Sequence, residues 1–307
     1  MEVRMFKRLS LPLVIGILSG ALCLSTQAAA ALPPCADQAL TLLQKQDPIG
    51  YRAVVADAGL RDQGMTHFLN CKDAMLQLPL FVHEMVHIYV RVLSSQAGNP
   101  GQWVMYLPDG STLALPTLTT FPRSEISAFL SPAQRKWQRS QLYLTGQMGS
   151  QDFVSLMDEY IAYIFSLQTA RIFASRIPKN QRYDFQDAMG NFMFYLALYL
   201  KQARTKHPDL WLELSQQEAY RSLILKSWQL AEKELKASAS LKQLAINRSE
   251  VFKAVYESGL TGEIELLLRT ADPSFQVSAE IPRLMGVKLI RKAQPPLPVT
   301  AKATVLL

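Results

Sequence analysis

The chain has 307 residues, 49% hydrophobic and 19% charged, with a formal net charge of +7. That composition excludes a disordered chain and a multi-span membrane protein, and 14 glycines with 17 prolines exclude collagen-like repeats. The excess positive charge is spread thinly, with no basic stripe interleaved with aromatics, so nucleic acid is not an expected partner.

The first thirty residues read as an address. Arg4, Lys7 and Arg8 are followed by an apolar run from Leu9 to Leu24 and then by Ala28-Ala29-Ala30. A charged start, an apolar middle and a small-residue end make a secretory signal peptide, with cleavage near Ala30. The run, at roughly 16 residues, is short of the ~20 that a membrane span needs. Cleavage removes Cys23 and leaves Cys35 and Cys71. An even pair in an exported chain predicts a disulfide. The expected location is the periplasm or the exterior, without stable membrane insertion after cleavage.

Along the mature chain, Asp37 to Lys45 has a short helical pattern, halted by Asp47-Pro48. Residues 51–70 hold Gly59 and Gly64 and no clear period. From Asp73 the chain becomes nearly continuously apolar, and a buried helix is expected over roughly 80–95, with Pro79 in its first turn or at a kink. Two β-rich runs, Trp103–Leu107 and Ser111–Leu115, flank Pro108-Asp109-Gly110 and predict a hairpin, which either offers an edge to an extended peptide or simply covers the core. A short helix is expected near 124–130, and Ser131-Pro132 starts another. Longer helical patterns cover about 151–176, 181–206, 209–236 and 247–270, broken at Ile177-Pro178 and His207-Pro208. His207 reads as a surface cap, and Asp184 and Asp187 as part of a solvated face. The tail from Gln276 has no helical period and contains two short β-like pieces, Leu289–Lys292 and Thr304–Leu307. These elements predict a mainly α (α+β) fold: a signal peptide at 1–30, a helical domain at 31–275 and an irregular tail at 276–307.

The chemistry is concentrated in His83-Glu84-Met85-Val86-His87. The chain has only four histidines, at 67, 83, 87 and 207. Two imidazoles four apart share one face of a helix and can reach one metal ion. Glu84 flanks that face, where a carboxylate can take a proton from an attacking water. Unpaired burial of these polar groups in an apolar helix costs ~1–3 kcal/mol each, and more for a charge, so the sequence favours an ion that satisfies them together.

A catalytic zinc needs a third protein ligand and one open position. Glu159, Glu125, Asp152, Asp158 and His67 are the candidate suppliers. Glu125 and Asp152 sit at expected helix starts, where a carboxylate has a structural explanation. Glu159 lies deeper, among Met157, Tyr160, Ile161 and Ala162, where a buried carboxylate demands a cation. It is the favoured ligand, and the small Ala162 lets two helices approach. Tyr163, one turn beyond Glu159, is a candidate to steady a tetrahedral oxyanion, with His67 as a weaker one.

The His83–His87 segment resembles the core motif of the zincin metallopeptidases. Val90 and Leu93 stand where metzincins have Gly and His, which excludes that branch. Asp158-Glu159-Tyr160-Ile161-Ala162 is similar to the Glu-x-x-Ala helices of gluzincin-type members, and implies Glu159 as the ligand. Thermolysin-like members place an Asp four residues after that Glu to hold the first His, and here Tyr163 stands there. The resemblance implies a zincin-like helical core, a Zn2+ cofactor and a protein or peptide substrate. The expected function is an exported zinc metallopeptidase with Glu84 as general base. The alternative is a non-catalytic, zinc-stabilised binding protein of the cell envelope.

Overall fold

The structure is a computed structural model that describes residues 32–69, 71–98, 101–256 and 259–287. The signal peptide expected at 1–30 and the β-like pieces expected at 289–292 and 304–307 lie outside the described residues. Three helices come first: α1 (Ala36–Gln46), α2 (Pro48–Val54) and α3 (Ala58–Phe68). Asp47 and Asp57 cap α2 and α3, accepting from the backbone N–H of Gly50 and of Leu60. Pro48 in the first turn of α2 has no N–H to leave unsatisfied.

The long helix α4 runs over Ala74–Gln96, six residues earlier than the sequence suggests. Pro79 therefore lies inside it and removes one hydrogen bond of the helix ladder just before His83. Gly98, at φ 76°, ends the helix in the left-handed conformation that glycine adopts without strain. The hairpin follows as expected, with β1 (Trp103–Tyr106) paired antiparallel to β2 (Thr112–Leu115) and Gly110 at φ 83° in its turn.

Arg123–Phe129 forms a 3-10 helix. Three short helices then lead on: α5 (Pro132–Arg135), begun by a Ser131/Gln134 capping box, α6 (Gln138–Tyr143) and α7 (Gly146–Gly149). The centre of the fold is α8 (Phe153–Ile172) with α9 (Phe185–Lys206). Asp152 caps α8 through the Ser155 N–H at 2.9 Å, and residues 160–170 are buried without interruption. A helix that is apolar all round belongs in the interior. Packed against α8 are α4, α9 and the later α11, while β1 lies on α4. Each large apolar side chain buried there contributes ~1.5–3 kcal/mol.

The remaining elements are α10 (Pro208–Gln216), α11 (Glu218–Ser238), α12 (Arg248–Tyr256), α13 (Thr261–Leu268) and α14 (Glu280–Leu284). The result is mainly α with one two-stranded sheet among the described residues. The pattern at 209–236 is two helices, because the backbone at Gln217 is extended. Residues 280–284, placed in an irregular tail by the sequence, form α14 and bury Ile281. Cys35 and Cys71 form a disulfide with Cα atoms 5.3 Å apart, closing a loop around α1 to α3. A loop of that length is stabilised by ~2–4 kcal/mol. No helix among the described residues is long and apolar enough to cross a membrane.

Candidate metal centre

The pairing of α4 with α8 builds the site. His83 and His87 come from α4 one turn apart, and Glu159 comes from α8. Among the described residues these three form the group of donors able to hold a metal ion. The Nε2 atoms of His83 and His87 are 3.2 Å apart. Glu159 Oε2 lies 3.5 Å from the first and 3.6 Å from the second. Zinc bonds of ~2.0–2.2 Å in tetrahedral geometry require donors about 3.3–3.5 Å apart. The three edges of this triangle, 3.2, 3.5 and 3.6 Å, lie within about 0.1 Å of that spacing.

The chemistry of the donor set also suits a cation. Glu159 Oε2 is buried and accepts no hydrogen bond. No Lys or Arg ion-pairs with it among the described residues. Two imidazole nitrogens face each other and the carboxylate, an arrangement that one divalent ion satisfies at once. Without an ion, burial penalises the charged form of His87, but Asp158 and then Glu159 outweigh it and lift the imidazole well above its ordinary range. Burial likewise pushes Glu159 up, and His87 and His83 more than offset it, so its carboxyl is held below the usual range.

Asp158 has a role that differs from its standing as a candidate ligand. Its Oδ2 accepts from His87 Nδ1 at 2.7 Å. With an ion bound, that hydrogen bond would keep the proton on Nδ1 and leave the Nε2 lone pair for the ion. A holder for an imidazole is thus present, but one residue before Glu159 and on the second histidine. The first histidine is held differently: Tyr163 packs edge-on against the His83 ring with centroids 4.4 Å apart. His83 Nδ1 is buried and has no hydrogen-bond partner. We expect Asp158→Asn to weaken metal binding ~10–100-fold, as loss of such outer partners does, read by competition with a chelating dye.

Tyr163 is itself tightly held. Its hydroxyl accepts from Arg139 and shares a 2.8 Å hydrogen bond with Tyr143, and Arg139 pairs with Asp184 at 2.6 Å. Burial pushes the Tyr163 phenol up, so it stays protonated. Glu84 is half-buried on α4, beside the ligand face, and has no hydrogen-bond or ion-pair partner among the described residues.

The other candidates lie elsewhere. His67 is exposed on α3 and packs edge-on to Phe68. Glu125 binds His207 at 2.9 Å and Gln202 at 2.8 Å. Asp152 caps α8. His207 joins α9 to α10 and stacks on Phe121. The expectation of a solvated face fails at both Asp184 and Asp187. Asp184 is in the Arg139 pair, and Asp187 is buried, its Oδ2 accepting from the N–H groups of Ile246 and Asn247. The sequence reading missed Arg139 and Tyr143 altogether. Neither falls near the motif, and only the fold brings them beside Tyr163.

Comparison of the chain with protein families, with curated proteins and with solved structures finds no match.

Proposed function

We propose that the protein is an exported zinc metallopeptidase. The observation that carries this reading is the donor set: two imidazoles and one carboxylate at tetrahedral spacing, with an unengaged carboxylate, Glu84, one position after His83 on the same helix. Catalytic zinc sites use three protein ligands and an open position, whereas structural sites use four. A purely structural ion has no need of Glu84, which disfavours the alternative of a zinc-stabilised binding protein.

Zinc held by His83, His87 and Glu159 would supply Lewis acidity toward a scissile carbonyl and lower the pKa of water. Glu84 takes the proton of the attacking water as the new C–O bond forms. It then passes that proton to the amine as the C–N bond breaks. Asp158 keeps His87 in the metal-binding tautomer. Tyr163 accepts from Arg139, and Tyr143 can be the donor in their shared hydrogen bond. The Tyr163 proton is then available to a developing oxyanion next to His83. The signal segment and the Cys35–Cys71 disulfide support an oxidising compartment. The substrate is a protein or peptide of the envelope or the surroundings, and nucleic acid has no part.

The test is metal analysis of purified mature protein together with hydrolysis of a mixed peptide library. One zinc per chain is expected, with peptide cleavage that a chelator abolishes and added zinc restores. Absence of bound zinc would overturn the reading. Bound zinc with no cleavage of any peptide or casein would favour the binding protein.

A further inference from the structure

A hollow of about 220 Å³ lies between the segment after α11 and the start of α12. Arg182, Lys242, Arg248 and Ser249 line it, with Gly286 at one side. None of these residues belongs to the metal centre. Two guanidinium groups are positioned there by backbone carbonyls: Arg182 donates to Lys242 O and Arg248 to Ala239 O, at 3.3 and 2.7 Å. Among the described residues none of the three cations has a carboxylate partner. Asp187, the acid that anchors this segment, is turned toward the N–H groups of Ile246 and Asn247. The backbone N–H of Tyr183 donates to Gln243 O at 2.8 Å and so ties the two walls together. Arg248 and Ser249 also open α12, and Glu250, the acid of its first turn, is engaged by Trp137 Nε1–H and does not line the hollow.

We propose that this hollow is a binding site for a phosphoryl group. Three unpaired cations balance a dianion better than a single carboxylate. Planar guanidinium forks match phosphate oxygens, and the Ser249 hydroxyl adds a neutral donor. The volume is larger than one such group and leaves room for water or for the rest of a head group. The group can come from free phosphate or from a phospholipid head group, and the two sources are separable.

The experiment uses the full mature, zinc-loaded protein. Inorganic phosphate is titrated at constant ionic strength and followed by calorimetry. In parallel, the protein is sedimented with phosphatidylglycerol or phosphatidylcholine vesicles. Arg182 and Lys242 are exposed, so Arg182→Ala/Lys242→Ala should fold normally. Lys136→Ala/Lys206→Ala removes the same charge at other exposed positions. Wild type and the Lys136/Lys206 variant should bind, and the Arg182/Lys242 variant should bind at least tenfold more weakly. Saturable phosphate binding without sedimentation assigns free phosphate. Sedimentation with phosphatidylglycerol alone, lost in the Arg182/Lys242 variant, assigns the head group. Absence of both, or equal binding by both double variants, would overturn the proposal. Neither outcome bears on peptide cleavage.

Discussion

Glu84→Gln is expected to keep one zinc per chain and to lose peptide hydrolysis by at least ~10²–10⁴-fold, the contribution of general-base catalysis alone. Glu84 is not part of the donor triangle, so the ligands and their spacing are untouched by the change. It forms no hydrogen bond or ion pair among the described residues that its loss would leave unsatisfied. Gln preserves the size of the side chain and can still orient a water, but it cannot accept a proton. The loss should therefore appear in kcat, with KM little changed. Full activity in this variant would remove Glu84 from the mechanism.

The second large effect is expected at Glu159. Glu159→Ala removes one of three donors, so zinc affinity should fall further than the ~10–100-fold expected for an outer partner such as Asp158. Activity should disappear with the metal. Glu125→Ala is the control, because Glu125 is engaged by His207 and Gln202, away from the donor triangle. It should retain zinc and activity. Metal content after gel filtration, with circular dichroism to confirm folding, decides the matter. A fully zinc-loaded, active Glu159→Ala protein would rule the assignment out.

The two histidines were legible because one stretch of helix carries both, and a spacing of four fixes their common face. Glu159 was legible through cost, since a carboxylate among apolar neighbours needs a cation. Asp158 was not. Whether a carboxylate on one helix reaches the first or the second imidazole on another depends on how α4 and α8 are rotated against each other. That rotation comes from packing along the whole interface, which no local pattern encodes. The helices at 48–54 and 58–68 were hidden for a related reason. Gly64 weakens the helical signal, yet a Cβ there would come within 2.9 Å of the Phe81 ring, so glycine is what lets α3 lie close to α4. The break at Gln217 carries no glycine or proline to announce it. Asp187 looked solvated because two acids three residues apart at a helix start give no hint that backbone N–H groups 59 and 60 residues after the second will claim it.

The donor triangle spans two helices whose contributions are more than seventy residues apart in sequence. An ion held there is therefore a cross-link as well as a reagent. Its grip on the native chain, and not on the unfolded one, makes stability a function of free zinc concentration by mass action. At a thousand times the dissociation constant that linkage is worth about 4 kcal/mol. A compartment poor in zinc would then hold a chain that is easier to open along α4 and α8, and so more readily cleared by proteases. Zinc supply would set the abundance of the protein as well as its turnover.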